Sequence, residues 1–114
     1  MKTENKHVQE LTNETFETAV NQASQAPLLV DFWAPWCGPC RMMAPGLQTF
    51  AEGHVGDIRV AKVNIDEAPE LASRFNIQSI PTLVLFEGGQ EVDRVSGAVP
   101  QSTLETRFIR KLAA

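Results

Sequence analysis

The chain has 114 residues, 43% of them hydrophobic, and no long polar tract, which suits one compact domain burying about two thirds of its unfolded surface. Ten Lys and Arg against fourteen Asp and Glu leave a net charge of −4, spread without a basic cluster, so nothing favours neutralising phosphate backbones and nucleic acid is not an expected partner. The opening residues Met1 to Lys6 contain no apolar signal segment, and no apolar run approaches the ~18–20 residues of a bilayer span, so a cytoplasmic monomer is the expectation.

In chain order, residues 1–7 are expected to form a flexible arm ahead of a single domain at 8–114. Val8 to Leu11 has the length of a short strand. Thr12 or Asn13 offers an N-cap for a helix whose apolar residues Phe16, Val20 and Ala23 recur at helical spacing, and Pro27 ends it. Leu28-Leu29-Val30-Asp31-Phe32-Trp33 is nearly continuous in apolar residues, the pattern of a central strand buried on both faces. A helix follows from near Cys37 to Gly53, with Pro45 and Gly46 expected to interrupt it. From Ile58 to Asp66, Ala61, Val63 and Ile65 alternate with Lys62 and Asn64 in the period of a pleated strand. Pro69 opens a helical turn leading to Leu71, Ala72 and Phe75. Leu83 to Phe86, then Gly88-Gly89, then Glu91 to Ser96 predict an antiparallel hairpin, and Leu104, Phe108 and Leu112 mark a terminal helix. The order β-α-β-α-β-α-β-β-α implies an α/β fold: a central mixed sheet with helices on both faces.

Both cysteines of the chain fall in Cys37-Gly38-Pro39-Cys40, where the apolar strand runs into the helix. Two thiols three residues apart on a first helical turn share one face, within the ~4.4–6.8 Å Cα separation that a disulfide requires. They can cycle between dithiol and disulfide without refolding. The loop they close is too small to add much stability by chain entropy, so redox chemistry explains them better than a structural staple. Half of a zinc site is the rival, but zinc takes about four ligands, and His7 and His54 have no paired spacing.

Trp33-Ala34-Pro35-Trp36-Cys37-Gly38-Pro39-Cys40, with Asp31 upstream and Ile80-Pro81-Thr82 and Gly97 downstream, closely resembles the thioredoxin family. The resemblance covers essentially the whole chain after its first few residues. Ala34-Pro35-Trp36, Arg41 and Gly97-Ala98-Val99-Pro100 look most like the thioredoxin-2 (thioredoxin C) branch. Members of that branch often carry an N-terminal zinc segment with two further CxxC pairs. This chain has no such cysteines, so neither a metal nor a tightly bound cofactor is expected. The resemblance implies the thioredoxin fold and a protein-disulfide reductase, a thiol-disulfide oxidoreductase serving electron transport and cell redox homeostasis.

Only a thiolate attacks a disulfide, so position must make one sulfur acidic. Cys37, at the helix start, faces unsatisfied backbone N–H groups and the positive end of the macrodipole, which makes it the expected nucleophile. Cys40, one turn inside, is expected to be more buried, to keep its proton longer, and to resolve the mixed disulfide. Asp31 interrupts the apolar strand; buried, its pKa would rise, and the family resemblance assigns it the proton of Cys40. The alternative places Asp31 on a solvent-facing strand surface. Lys62 matches the family position that often supports this aspartate electrostatically, and a plain solvated lysine is its alternative. Gly38 allows close approach of a substrate backbone and Pro39 pre-sets the helical turn. The resemblance makes Pro81 a cis-proline beside the dithiol, and Trp36, Ile80, Gly97 and Ala98 an apolar rim where an extended substrate docks. Core packing is the competing role for Ile80.

Arg41 stands where many members have lysine and should keep a positive charge near the thiols, while Gly46 should loosen the helix. The implied partners are disulfide-containing protein substrates and an NADPH-dependent flavoprotein thioredoxin reductase. No Gly-rich dinucleotide loop is present in the chain itself. Two rival readings remain: the same fold run in reverse as an oxidase or isomerase, and a binding module whose groove matters while its thiols do not.

Overall fold

The computed structural model describes residues 7–22 and 25–109. Five strands, β1 (Val8–Leu11), β2 (Leu28–Trp33), β3 (Arg59–Asn64), β4 (Thr82–Glu87) and β5 (Gln90–Ser96), form one sheet in the order β1-β3-β2-β4-β5. β1 and β2 flank β3 in parallel, whereas β4 is antiparallel to both β2 and β5. The helices are α1 (Phe16–Val20), α2 (Gly38–Gly53), α3 (Pro69–Arg74) and α4 (Gln101–Leu104), the last running directly into a π-helical turn at Glu105–Ile109. This is the element order and the mixed sheet expected from the sequence.

β2 is central because its side chains are apolar in both directions. Leu28, Val30 and Phe32 join Phe16, Ala19 and Val20 of α1, Leu71 of α3 and Phe86 of β4 in one buried cluster. Leu29 faces the opposite way, into a second cluster with Met43, Leu47 and Phe50 of α2, Leu104 of α4 and Phe108. The helices therefore divide by face, α1 and α3 on one side and α2 and α4 on the other. Gly88 and Gly89, at φ of 59° and 83°, supply the left-handed pair that a two-residue hairpin turn between twisted strands requires.

Three local expectations change. α1 is capped at Thr15, not at Thr12 or Asn13, because residues 12–15 form a turn in which the Thr15 and Phe16 N–H groups donate to the Thr12 carbonyl. Pro45 and Gly46 do not interrupt α2, which runs unbroken for 16 residues. Pro45 removes a single donor, and Gly46 turns toward Gln101 of α4, so packing on the sheet carries the helix through. β3 is shorter than predicted and ends at Asn64, whose side-chain oxygen accepts from the Asp66 N–H at 2.9 Å and starts a turn. Ala23, Leu112 and residues 1–6 of the expected arm at 1–7 lie outside the described residues.

Candidate active site

The site sits where β2 ends and α2 begins. Cys37 is the N-cap of α2, with φ −86° and ψ 108°, and its Sγ accepts the Cys40 N–H at 3.2 Å. A sulfur thus occupies the place where capping oxygens ordinarily satisfy the orphan amides of a first turn. Cys37 and Cys40 are joined as a disulfide with their Cα atoms 5.3 Å apart. Both are buried, and they pack with Ala34 and the half-buried Trp33, Ile65 and Ile80. Pro39 enters the first turn of α2 and is exposed, beside a half-buried Gly38.

The Ile80–Pro81 bond is cis, as the family resemblance implied. The Ile80 carbonyl oxygen lies 3.8 Å from Cys37 Sγ, which places this loop directly over the redox pair. Gly97 adopts φ +96° and donates its N–H to the Pro81 carbonyl at 2.8 Å. A side chain there would be strained, so glycine is what lets the end of β5 bend back onto Pro81. Ala98, next in the chain, is exposed, and so is Trp36, the residue before Cys37, at 66%. Of the predicted rim residues, Ile80 touches Cys37 through its carbonyl, and Pro81 and Gly97 are joined to each other beside it.

Beneath the disulfide lies a cavity of about 160 Å3 lined by Asp31, Trp33, Cys40, Arg41, Leu47 and Lys62, among others. Asp31 is 3% exposed, and its Oδ1 has no hydrogen-bond partner among the described residues, so the solvent-facing alternative is ruled out. Burial pushes its pKa up from 3.8 to about 7, with the Lys62 charge pulling more weakly the other way. Lys62 is its register neighbour on β3, as expected, and its Nζ lies 3.6 Å from Glu10 Oε2 and 4.8 Å over the Trp33 ring. Arg41 lines the cavity too, and its Nη1 donates to the Pro35 carbonyl at 2.9 Å, strapping the loop ahead of the cysteines. Among the described residues, no cluster of three or more His, Cys, Asp or Glu side chains is placed to hold a metal, and no helix is long and apolar enough to cross a membrane.

Two residues near the site escaped the sequence reading. Asp66 accepts the Trp36 indole N–H at 3.0 Å and fixes that ring against the β3–α3 loop. The signal was the Asn64-Ile65-Asp66 turn at a strand end, whose contact with a tryptophan 30 residues earlier only the fold supplies. Met42, 83% exposed and one helical turn beyond Gly38 and Pro39, adds apolar surface on the side of α2 that carries the exposed Pro39.

Comparison with known proteins agrees with this geometry. A family profile described as thioredoxin matches residues 7–111. The chain is 56% identical to thioredoxin 1 of Nostoc sp. over 103 residues, covering 90% of this chain and 95% of that one. The chain belongs to the thioredoxin family. Thioredoxin from Alicyclobacillus acidocaldarius is 53% identical over 86% of this chain and 91% of its own length. The chloroplastic M-type thioredoxin of Zea mays is 52% identical over 74% of this chain and half of its own length. As a thioredoxin-family protein with both its cysteines in a disulfide-forming Cys-Gly-Pro-Cys motif, the chain is a protein-disulfide reductase working by dithiol–disulfide exchange. Thioredoxins act on disulfide substrates and are reduced by a thioredoxin reductase.

Proposed function

We propose that this protein reduces exposed disulfides of other proteins in the cytoplasm, working as a monomer whose functional unit is the domain at 8–114 behind a short arm at 1–7. The observation that carries the reading is the Cys37–Cys40 pair at the start of α2, with Cys40 lining the same cavity as the buried Asp31. In the reduced protein, Cys37 Sγ sits at the helix tip, where amides and macrodipole favour the thiolate. It attacks one sulfur of the substrate disulfide, and the other substrate sulfur leaves as a thiolate that takes up a proton. Cys40 then gives its proton to the Asp31 carboxylate, directly or through water in the cavity between them, and attacks Cys37 Sγ. The intermolecular bond breaks and the second substrate thiolate departs. Two electrons have moved from the dithiol to the substrate, leaving the Cys37–Cys40 disulfide.

With a pKa of about 7, Asp31 holds the Cys40 proton at neutral pH and can release it again. Lys62 supports its charged form. Gly38 and Pro39 hold the turn between the sulfurs, while Trp36, Ile80, Pro81, Gly97 and Ala98 form the groove for an extended stretch of substrate. A flavoprotein thioredoxin reductase returns the two electrons from NADPH. Reduction of insulin disulfides tests the roles. Cys37→Ser abolishes it, and Cys40→Ser accumulates a mixed disulfide between Cys37 and substrate. Turnover surviving in Cys37→Ser overturns the assignment of the nucleophile.

A further inference from the structure

On the sheet face that carries the redox pair, three ionisable residues stand in one row across adjacent strands. Glu10 of β1 is the register partner of Lys62 on β3, and Lys62 is the register partner of Asp31 on β2. Neighbouring strands lie about 4.8 Å apart, so two carboxyls flank a single ammonium from opposite sides. The row continues into Leu83 of β4 and Val95 of β5, which bear no charge. The Lys62 ion pair is with Glu10, at 3.6 Å, while Asp31 Oδ1 has no hydrogen-bond partner among the described residues.

We propose that Glu10 is a positioning residue for the exchange reaction: its carboxylate holds the Lys62 ammonium toward the sheet edge and thereby sets how tightly Asp31 keeps its proton. The groups facing Asp31 across the cavity are Lys62 from β3 and Cys40 and Arg41 from α2. Cys40 is tied into the disulfide and Arg41 donates to the Pro35 carbonyl, so of these three groups Lys62, held by Glu10 and over the Trp33 ring, is the one whose charge shifts when its tether is cut. Its side chain is 25% exposed and that of Glu10 is 61% exposed, so the tether is within reach of salt while the far end of the row is not. Removing the Glu10 charge has two effects of one sign. Lys62 settles closer to Asp31, and a negative charge leaves the row; both favour the ionised Asp31. The consequence for rate rests on the reading of Asp31 as proton acceptor for Cys40.

The test is a titration of the Asp31 carboxyl carbon by NMR in the full-length oxidised protein, between about pH 5 and pH 9, at low and high salt. Glu10→Gln is compared with wild type, with Lys62→Met, with the double variant, and with Glu52→Gln, which removes an equal charge at the far end of α2. In wild type the midpoint falls near the value of about 7 set by burial. Glu10→Gln lowers it by about half a pH unit, less at high salt. Glu52→Gln leaves it in place, and in the Lys62→Met background the Glu10 substitution moves it by less than half as much. A midpoint unmoved by Glu10→Gln, or moved equally with and without Lys62, overturns the proposal. Single-turnover resolution of the mixed disulfide is then followed over the same pH range. A midpoint that shifts in the titration while the resolving rate keeps its pH profile supports Glu10 acting on Asp31 and removes Asp31 from the proton-transfer step instead.

Discussion

On one face of the sheet, Leu28, Val30 and Phe32 of β2 pack into an unbroken apolar cluster in which Phe16, Phe75 and Phe86 meet with ring centroids 5.3–5.8 Å apart. On the other face the same strand presents Leu29, Asp31 and Trp33, and there the packing opens into a cavity lined by Asp31 and Trp33, whose buried Oδ1 and Nε1 have no hydrogen-bond partner among the described residues. Edge-to-face aromatic contacts and full desolvation make the first face a source of stability. An unpaired buried carboxyl makes the second a cost to stability. Chemistry has been placed on the face that can be left imperfect because the opposite face is complete.

The comparison breaks if the faces trade roles, and the largest effect tests the stable one. Phe16→Ala removes a side chain with no exposure whose ring touches both Phe75 and Phe86, and should cost about 3–5 kcal/mol in denaturant unfolding. Insulin reduction per folded molecule should be unchanged. A matching loss of turnover in the folded fraction would show that the two faces are coupled.

Asp31→Asn tests the other face and runs in the opposite direction. The folded-state pKa of Asp31 is raised from 3.8 to about 7, so its contribution to stability is fully present below about pH 4 and is lost as pH rises to about 7. The unfolded chain ionises freely over that window, while the folded one must either keep the proton or bury a charge. Removing the ionisable group should therefore stabilise the protein above neutral pH, on the order of 2–4 kcal/mol, and leave little difference near pH 4. The same substitution should slow resolution of the mixed disulfide and flatten its dependence on pH near 7. Equal stabilities of the two proteins at all pH values would mean that Asp31 carries no desolvation cost.

This division also marks what was legible in the sequence. Val30 and Phe32 interleaved with Leu29 announced a strand buried on both faces, and the lone Asp31 within it announced an energetic anomaly, because hydrophobic pattern and charge are properties of neighbouring residues. The Cys37 cap was legible for the same reason: helix start, glycine and proline all fall within four positions. What stayed hidden depends on elements far apart in the chain. Glu10 reaches Lys62 only because β1 pairs with β3 in one particular register, and Asp66 reaches Trp36 only once the loop after β3 is folded beside the loop after β2. The break expected at Pro45–Gly46 failed because intrinsic propensity was weighed without the tertiary contacts that hold α2 on the sheet.

Asp66→Ala sharpens the account of the exposed rim. Loss of the carboxylate frees the Trp36 indole, which should raise the apparent KM for a protein substrate by about threefold with kcat little changed, the scale of one partly exposed hydrogen bond. Trp36 fluorescence should change in parallel. A fall in kcat at constant KM would instead tie that ring to the chemical steps.

Gly46 gives the smallest and most local test, because it asks whether the helix that carries the cysteines is itself tuned. A Cβ built on Gly46 would meet Gln101 Cβ at 3.7 Å and the Gln101 nitrogen at 3.9 Å, ordinary van der Waals contacts with nothing to displace. Helical backbone at this position needs no glycine, and glycine in a helix interior loses more conformational entropy on folding than alanine. Gly46→Ala should therefore raise stability by about 0.5–1 kcal/mol and leave the reduction potential of the Cys37–Cys40 pair where it was. A stabilised helix with an altered potential would mean that looseness in the middle of α2 is felt at its first turn. In that case the imperfection of this face would extend beyond the cavity to the scaffold that holds the sulfurs.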